Sequence, residues 1–240
     1  AYALLRIDRG VKALTSAQTT LAVCEGGSVD LEAAIERFSA TIPSEIAWKW
    51  QRRGTSGDAS TDSDLDNANK FTGKTTKGIP DPVKLTLDPV QPSDSGIWVL
   101  KTETACGEAK ELEFKLNVEV KPTWKDDLTI ADDDICAGKS ALELDAVLNV
   151  NWQPDIKWER AKTAAGPWAE VADDGTITVT ADYATPHQAH LSLDIDPTYV
   201  SDSGYYRIAV TAPVGSACKD FSMYSAVKYV HIDTTPQITL

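Results

Sequence analysis

Val83-Lys84-Leu85-Thr86-Leu87 followed by Asp94-Ser95-Gly96-Ile97-Trp98 is the stretch on which the fold turns. Apolar and polar residues alternate in its first part, as in a half-buried strand, and a polar turn then leads into an aromatic run. The same pattern returns 108 residues later as Leu191-Ser192-Leu193-Asp194-Ile195 followed by Asp202-Ser203-Gly204-Tyr205-Tyr206. Lys49-Trp50-Gln51-Arg52 and Lys157-Trp158-Glu159-Arg160 keep that offset of 108. The cysteines repeat as well: Cys24 to Cys136 and Cys106 to Cys218 are both steps of 112, so the two in each half lie 82 positions apart. Repetition at this scale points to duplication of one domain.

Outward from these landmarks the chain reads as β throughout. Ser28-Val29-Asp30-Leu31-Glu32-Ala33, Ala141-Leu142-Glu143-Leu144-Asp145-Ala146 and His190-Leu191-Ser192-Leu193 alternate, and clusters such as Asp173-Asp174-Gly175 separate such runs. Residues 31–39 have a composition that suits a short helix, but their alternating start and place in the repeat favour strand and loop. A length of 240 residues suits two ordinary domains. The spacing predicts domains over residues 1–120 and 121–233, with residues 234–240 as a tail. That tail is similar to residues 122–130 and reads as the opening of a further repeat. The junction near Pro122 is short and lacks a Gly/Ser run, which predicts a fairly stiff connection.

About seven short strands per hundred residues, with an early Trp and a late Asp-x-Gly-x-aromatic, resembles the immunoglobulin fold. The expected class is therefore all-β, two tandem immunoglobulin-like β-sandwiches. The resemblance makes Trp50 and Trp158 the buried tryptophans of the third strand. It makes Asp94, Gly96, Asp202 and Gly204 the turn residues. Tyr206 takes the place of the corner tyrosine, whose hydroxyl bonds back to nearby backbone, and Trp98 stands there in the first copy. Where that family carries its central bridge, this sequence has Ala33 and Leu100, then Ala146 and Ile208.

The cysteines stand elsewhere, in Cys24-Glu25-Gly26-Gly27-Ser28, Cys136-Ala137-Gly138-Lys139-Ser140, and beyond the sixth strand at Cys106 and Cys218. A Cys-x-Gly-x-Ser opening of the second strand, with a later cysteine, resembles bacterial immunoglobulin-like repeats of surface proteins of the Bacteroidetes type. That resemblance, and a first strand ending near the last hairpin, implies bridges Cys24–Cys106 and Cys136–Cys218. Four cysteines allow three pairings, and the duplicated spacing favours this one. Such bridges would stabilise each domain by about 4–5 kcal/mol and place the chain outside a reducing cytosol. The cysteines lack the close Cys/His pairs of zinc sites.

A formal charge of −13 and a pI near 4.6 disfavour nucleic-acid partners, because binding phosphate relies on neutralising it. No run approaches the roughly 18 apolar residues of a membrane span. Ala1 to Leu5 has no basic residue ahead of it, so no leader is recognised, and the chain is expected to start at a processed end or inside a longer protein. An extracellular or cell-surface location follows from the cysteines.

Nothing points to catalysis: His187, His190 and His231 are scattered, and no nucleophile elbow, phosphate loop or metal helix occurs. Asp62, Asp64 and Asp66 alternate as in a calcium loop, yet Gly73 replaces the closing glutamate and Asn67 the turn glycine. Asp126, Asp127, Asp132, Asp133 and Asp134 form a second weak cation candidate. No cofactor is expected. Trp48, Trp124, Trp152 and Trp168 are the aromatic residues from which a glycan platform could be built, although packing roles are favoured for them. The segment Ala1 to Val11 reads as a first strand, or as one that could complete a neighbour's sheet. The expected function is a non-enzymatic structural and adhesive module of a surface or secreted protein. Its expected partners are neighbouring repeats or other copies of itself, with a protein or glycan ligand possible. A self-assembling lattice subunit, a polysaccharide-binding module and a phage-displayed domain are the alternatives.

Overall fold

A computed structural model describes residues 11–37, 46–53, 63–64, 72–75, 82–104, 107–131, 135–138 and 141–234, with backbone alone at 63–64 and 72–75. The chain divides into two compact units, Ala1–Glu119 and Val120–Leu240. In the first, the strands are β1 (Val11–Thr15), β2 (Thr20–Cys24), β3 (Val29–Arg37), β4 (Ile46–Arg52), β5 (Ser63–Asp64), β6 (Thr72–Thr75), β7 (Val83–Leu87), β8 (Gly96–Thr104) and β9 (Ala109–Glu119). In the second they are β10 (Thr123–Ile130), β11 (Ile135–Cys136), β12 (Leu142–Asn149), β13 (Asp155–Ala161), β14 (Ala169–Glu170), β15 (Ile177–Asp182), β16 (Gln188–Ile195), β17 (Gly204–Thr211), β18 (Ser222–Tyr224), β19 (Lys228–Val230) and β20 (Ile232–Asp233). The segment read ambiguously at residues 31–39 is strand as far as Arg37.

Each unit is an immunoglobulin-like sandwich. The first stacks the sheet β1-β3-β7 on the sheet β2-β9-β8-β4-β5, with β6 also on β4. The second stacks β10-β12-β16-β15 on β14-β13-β17-β18, with β19 also on β17. The period-two pattern decides which side faces in. Leu31, Ala33 and Ile35 of β3 are buried, whereas Asp30 and Glu32 point out to Lys84 on β7. Leu142, Leu144, Ala146 and Leu148 do the same on β12. Where a central bridge would sit, Ala33 and Leu100, and then Ala146 and Ile208, are buried apolar side chains. Trp50 and Trp158 are 0% and 1% exposed, at the centre of their cores. Trp50 packs on Phe114, with ring centroids 5.3 Å apart.

The two Asp-Ser-Gly turns perform the same work in both units. The carboxylate of Asp94 accepts the Gln91 N–H at 2.7 Å and that of Asp202 accepts the Tyr199 N–H at 2.8 Å, closing the single 3-10 turn before β8 and β17. The Ser95 hydroxyl accepts the Val118 N–H at 2.9 Å, and the Ser203 hydroxyl accepts the Ile232 N–H at 3.0 Å, tying the final strand to the turn. The glycines are demanded by space and torsion. A Cβ on Gly204 would come within 2.9 Å of the Ala161 carbonyl oxygen, and Gly96 has φ +142°.

The corner itself differs. Tyr206 Oη donates to the Asp202 carbonyl at 2.6 Å. In the first unit Trp98 Nε1 donates to the Asp94 carbonyl at 2.9 Å, so an indole makes the bond that a phenol makes in its twin. Burial pushes the Tyr206 phenol above its ordinary range, against the opposing pull of the Arg160 guanidinium beside it.

Candidate contact face and cysteine sites

Along β17, Tyr206, Ile208 and Val210 point into the core, so Tyr205, Arg207, Ala209 and Thr211 point outward. The outer row meets aromatic residues from its neighbours. Tyr205 lies opposite Tyr229 and Ala209 opposite Tyr224. The Arg207 guanidinium is 4.2 Å from the Trp168 ring centroid and 4.1 Å from that of Tyr224. Its Nε donates to Glu159 Oε2 at 2.6 Å across the β13–β17 register. Tyr205 and Tyr229 have centroids 4.8 Å apart, and Tyr229 stacks on His231 at 6.4 Å. Tyr224 and Tyr229 are each 53% exposed.

An arginine held between two rings and a carboxylate has already lost its rotamer freedom, so little more is lost when it meets a partner. Tyrosine, tryptophan and arginine are the residues that concentrate binding energy in protein contacts. Sequence reading singled out Trp168 here, but not Tyr205, Arg207, Tyr224 or Tyr229. The available signal was parity: once Tyr206 is assigned inward, 205 and 207 must face out.

The other candidates found structural work. Trp152 Nε1 donates to the Val120 carbonyl at 2.8 Å and its ring meets Phe221 edge-on, with centroids 6.2 Å apart. Trp124 Nε1 donates to the Tyr224 carbonyl at 3.1 Å, and Trp48 packs against the first core. His187 stands at φ +60° with Nδ1 2.9 Å from Asn151 Oδ1, beside a shallow depression of about 200 Å³ lined also by Trp152, Tyr183 and Thr185. His190 lies on β16, and His231 Nε2 is 3.1 Å from Asp233 Oδ1. The Asp127 carboxylate accepts from the Leu128 and Ala226 N–H groups at 2.7 and 2.9 Å. Asp62, Asp66, Asp132, Asp133, Asp134 and Ala1 to Gly10 lie outside the described residues, as does the side chain of Asp64. Among the described residues no group of three or more His, Cys, Asp or Glu is arranged to hold a metal.

The cysteines require a correction. Cys24 and Cys218 are disulfide-bonded, whereas Cys136 is free and half-buried. The implied Cys136–Cys218 bridge is therefore not formed, and the sheet register explains why. Cys136 pairs with Asp233 in the parallel β11–β20 ladder, beside the Gly204 end of β17, where Gly204 faces Val230. Cys218 follows the other end of β17, where Thr211 faces Ser222. Seven residue steps separate those ends, about 23 Å at strand rise, and a disulfide needs Cα atoms within about 7 Å. Cys106 lies outside the described residues, and with it the implied Cys24–Cys106 bridge. Cys24 stands opposite Glu119, at the end of β9 away from the hairpin that joins β8 to β9.

No protein-family model and no curated protein sequence matches this chain. Among solved structures, Sidekick-1 immunoglobulin domains 1–4 align with a TM-score of 0.56 at 14% identity, over 94% of this chain and 49% of that one. Sidekick-1 immunoglobulin domains 1–5 give 0.55 at 13%, over 95% and 40%. A marsupial T cell receptor gives 0.56 at 18%, over 92% and 73%. This chain thus spans about half or less of the two Sidekick-1 chains. At such identities the likeness shows the fold, two tandem immunoglobulin-like sandwiches.

Proposed function

We propose that this chain is a non-enzymatic, extracellular structural and adhesive module, which binds protein partners through the outer face of the sheet carrying β17. Other copies of the chain are the first partners to consider. The observation that carries the reading is the ladder Trp168–Arg207–Tyr224 beside Tyr205–Tyr229–His231. These rings are large, pre-arranged and partly exposed, while disulfide-bonded cysteines favour an oxidising location. The charge of −13 opposes indiscriminate clumping and leaves specific contact to such a patch. The Cys-x-Gly-x-Ser opening supports an origin among bacterial surface repeats. A glycan platform is less favoured, because the Trp152 indole is engaged by Val120 and Arg207 covers one face of Trp168.

The test is clustering of beads coated with the chain in a Cys136→Ser background, so that no new disulfide through Cys136 can join them. Coated beads should cluster, and Arg207→Ala should lower the clustering rate at least tenfold without moving the melting temperature by more than a few degrees. Beads that stay dispersed, or that cluster equally with Arg207→Ala, would show that this face does not mediate self-adhesion. A glycan array probed with the same protein checks the lesser reading.

A further inference from the structure

Among the described residues, β15 is an open edge of the sheet β10-β12-β16-β15. It pairs with β16 over six consecutive residues, Ile177 to Asp182, without a register shift. Its sequence, Ile-Thr-Val-Thr-Ala-Asp, is rich in β-branched residues and holds neither lysine nor proline. The other edges of the two stacked sheets each carry a device that discourages a further strand. β10 has two register shifts and sets Lys125, Asp126 and Asp127 along its length. β14 has only two residues. Between β18 and β19 the ladder is interrupted, and there the Trp124 indole donates to the Tyr224 carbonyl and the Asp127 carboxylate accepts the Ala226 N–H.

The bonds already made decide which backbone groups of β15 are left over. In an antiparallel ladder a residue turns its N–H and C=O to the same side, and alternate residues turn to opposite sides. The Asp196 N–H donates to the Thr176 carbonyl at 3.0 Å, in the register that continues along β15 and β16. Thr178, Thr180 and Asp182 therefore face β16 with their backbone groups, while Ile177, Val179 and Ala181 face the open side. Ile177 is satisfied there by the preceding turn. Its N–H donates to the Asp174 carboxylate at 3.0 Å and its carbonyl accepts the Asp174 N–H at 3.3 Å. Among the described residues, none bonds the open-side N–H and C=O groups of Val179 and Ala181.

We propose that β15 is a docking edge for a second copy of this chain, whose own β15 pairs with it antiparallel about a two-fold axis at Thr180. The free groups fix that axis. With Thr180 opposite its own copy, Val179 lies opposite Ala181 of the second copy and Ala181 opposite Val179. Four N–H···O=C bonds then satisfy every one of the groups left over. An axis at Val179 would set Ala181 against Ile177, whose groups Asp174 already holds, and an axis at Asp182 would oppose two carboxylates. In the register at Thr180, Asp182 meets Thr178 of the second copy. Asp30 and Thr86 form the same opposed pair across β3 and β7, where the hydroxyl donates to the carboxylate at 2.7 Å. Thr180 is exposed and neutral, so the axis brings no like charges together in a chain of net charge −13. The contact is isologous and closes at two copies, joining four strands from each into one sheet. It goes beyond the adhesive face, which lies on the other sheet of the sandwich.

The experiment follows the full chain, in the Cys136→Ser background, by sedimentation equilibrium over a range of concentrations. A reversible dimer is expected. Thr180→Lys sets two ammonium groups face to face at the axis and should raise the dissociation constant of the dimer at least about tenfold, with the circular dichroism of the monomer unchanged. Thr180→Cys gives the complementary reading. Opposed residues that are not bonded to each other have Cα atoms about 4.5 Å apart, within reach of a disulfide. In a glutathione redox buffer this variant should yield a covalent dimer whose digest joins two peptides through position 180. Thr178→Cys should not, because its own copy lies about 13 Å away along the strand. A chain that stays monomeric at every concentration, a dimer as strong in Thr180→Lys, or a cross-link as ready from position 178 would each overturn the proposal. Arg207→Ala should leave the dimer intact, so the adhesive reading and this one can fail independently.

Discussion

The corresponding sheet faces of the two sandwiches share a backbone and differ in chemistry. In the first, Arg53 reaches Glu113 and, at 3.0 Å, Glu111, while Lys101 meets Glu111 at 3.1 Å. In the second, the same rows carry Tyr205, Arg207, Tyr224 and Tyr229. The corners behind them differ likewise, an indole at Trp98 and a phenol at Tyr206, each bonded to the carbonyl of the aspartate four residues earlier. Both sandwiches thus keep what the fold needs, a ring with one donor at the corner, while their outer faces differ. One face is charged and the other aromatic, the latter being the one proposed above for contact.

The largest expected effect probes the corner. Tyr206→Ala should cost about 4 kcal/mol through cavity formation and the lost hydrogen bond, read as an earlier transition of the second sandwich in denaturant. Trp98→Ala should weaken the first sandwich comparably. A loss below 1 kcal/mol in either would break the equivalence of the two corners.

Next in size is Tyr206→Phe, which keeps the ring and removes the hydroxyl. It should cost about 1 kcal/mol. The phenol's pKa is raised by burial, so the folded state holds its proton more tightly than the unfolded state does. The resulting stability is complete below the ordinary tyrosine pKa near 10 and is lost as pH rises through the raised folded value. Melting curves above pH 10 should show this loss in the second sandwich. Tyr206→Phe should reduce it, leaving the share of Tyr183, whose phenol pKa burial also raises, and the Trp98 corner has no such group. An unchanged alkaline profile in Tyr206→Phe would remove Tyr206 as its source.

The smallest effect concerns the charged face. Arg53 is 8% exposed, but its partners Glu111 and Glu113 are 39% and 44% exposed, so solvent screens the pairs. Arg53→Gln should cost no more than about 1 kcal/mol and should lower the salt dependence of the first sandwich. A cost of several kcal/mol would mean that this face is part of the core architecture.

Much of this was legible in the sequence because alternation, the Asp-Ser-Gly turn and the offset of 108 are local signals. Val83 to Leu87, for instance, could hardly be anything but a strand with Val83 and Leu85 inward. The disulfide pairing was not legible, since a spacing of 82 residues says nothing about which end of a sheet each cysteine reaches. That depends on β2 and β11 running parallel to the final strand of each domain, which the register reveals and the spacing does not. The outer aromatic row escaped for another reason. Tyr205 and Arg207 flank Tyr206, and only the assignment of Tyr206 inward turns them into an outer row fed by Trp168, Tyr224 and Tyr229, which are distant in sequence.

That parallel ladder also governs how the domains answer tension. Drawing a domain out by its ends slides its early strand against its final one along their common axis, so the ladder's bonds are loaded together in shear. In the first sandwich Thr20 to Cys24 hold Lys115 to Glu119 through five register pairs, whereas among the described residues the second shows Ile135–Ile232 and Cys136–Asp233. With disulfides reduced, single-molecule stretching should show the second sandwich yielding at the lower force, and the reverse order would show that other bonds carry the load. The copy that carries the aromatic face is then also the weaker link, lengthening under pull before its twin gives way.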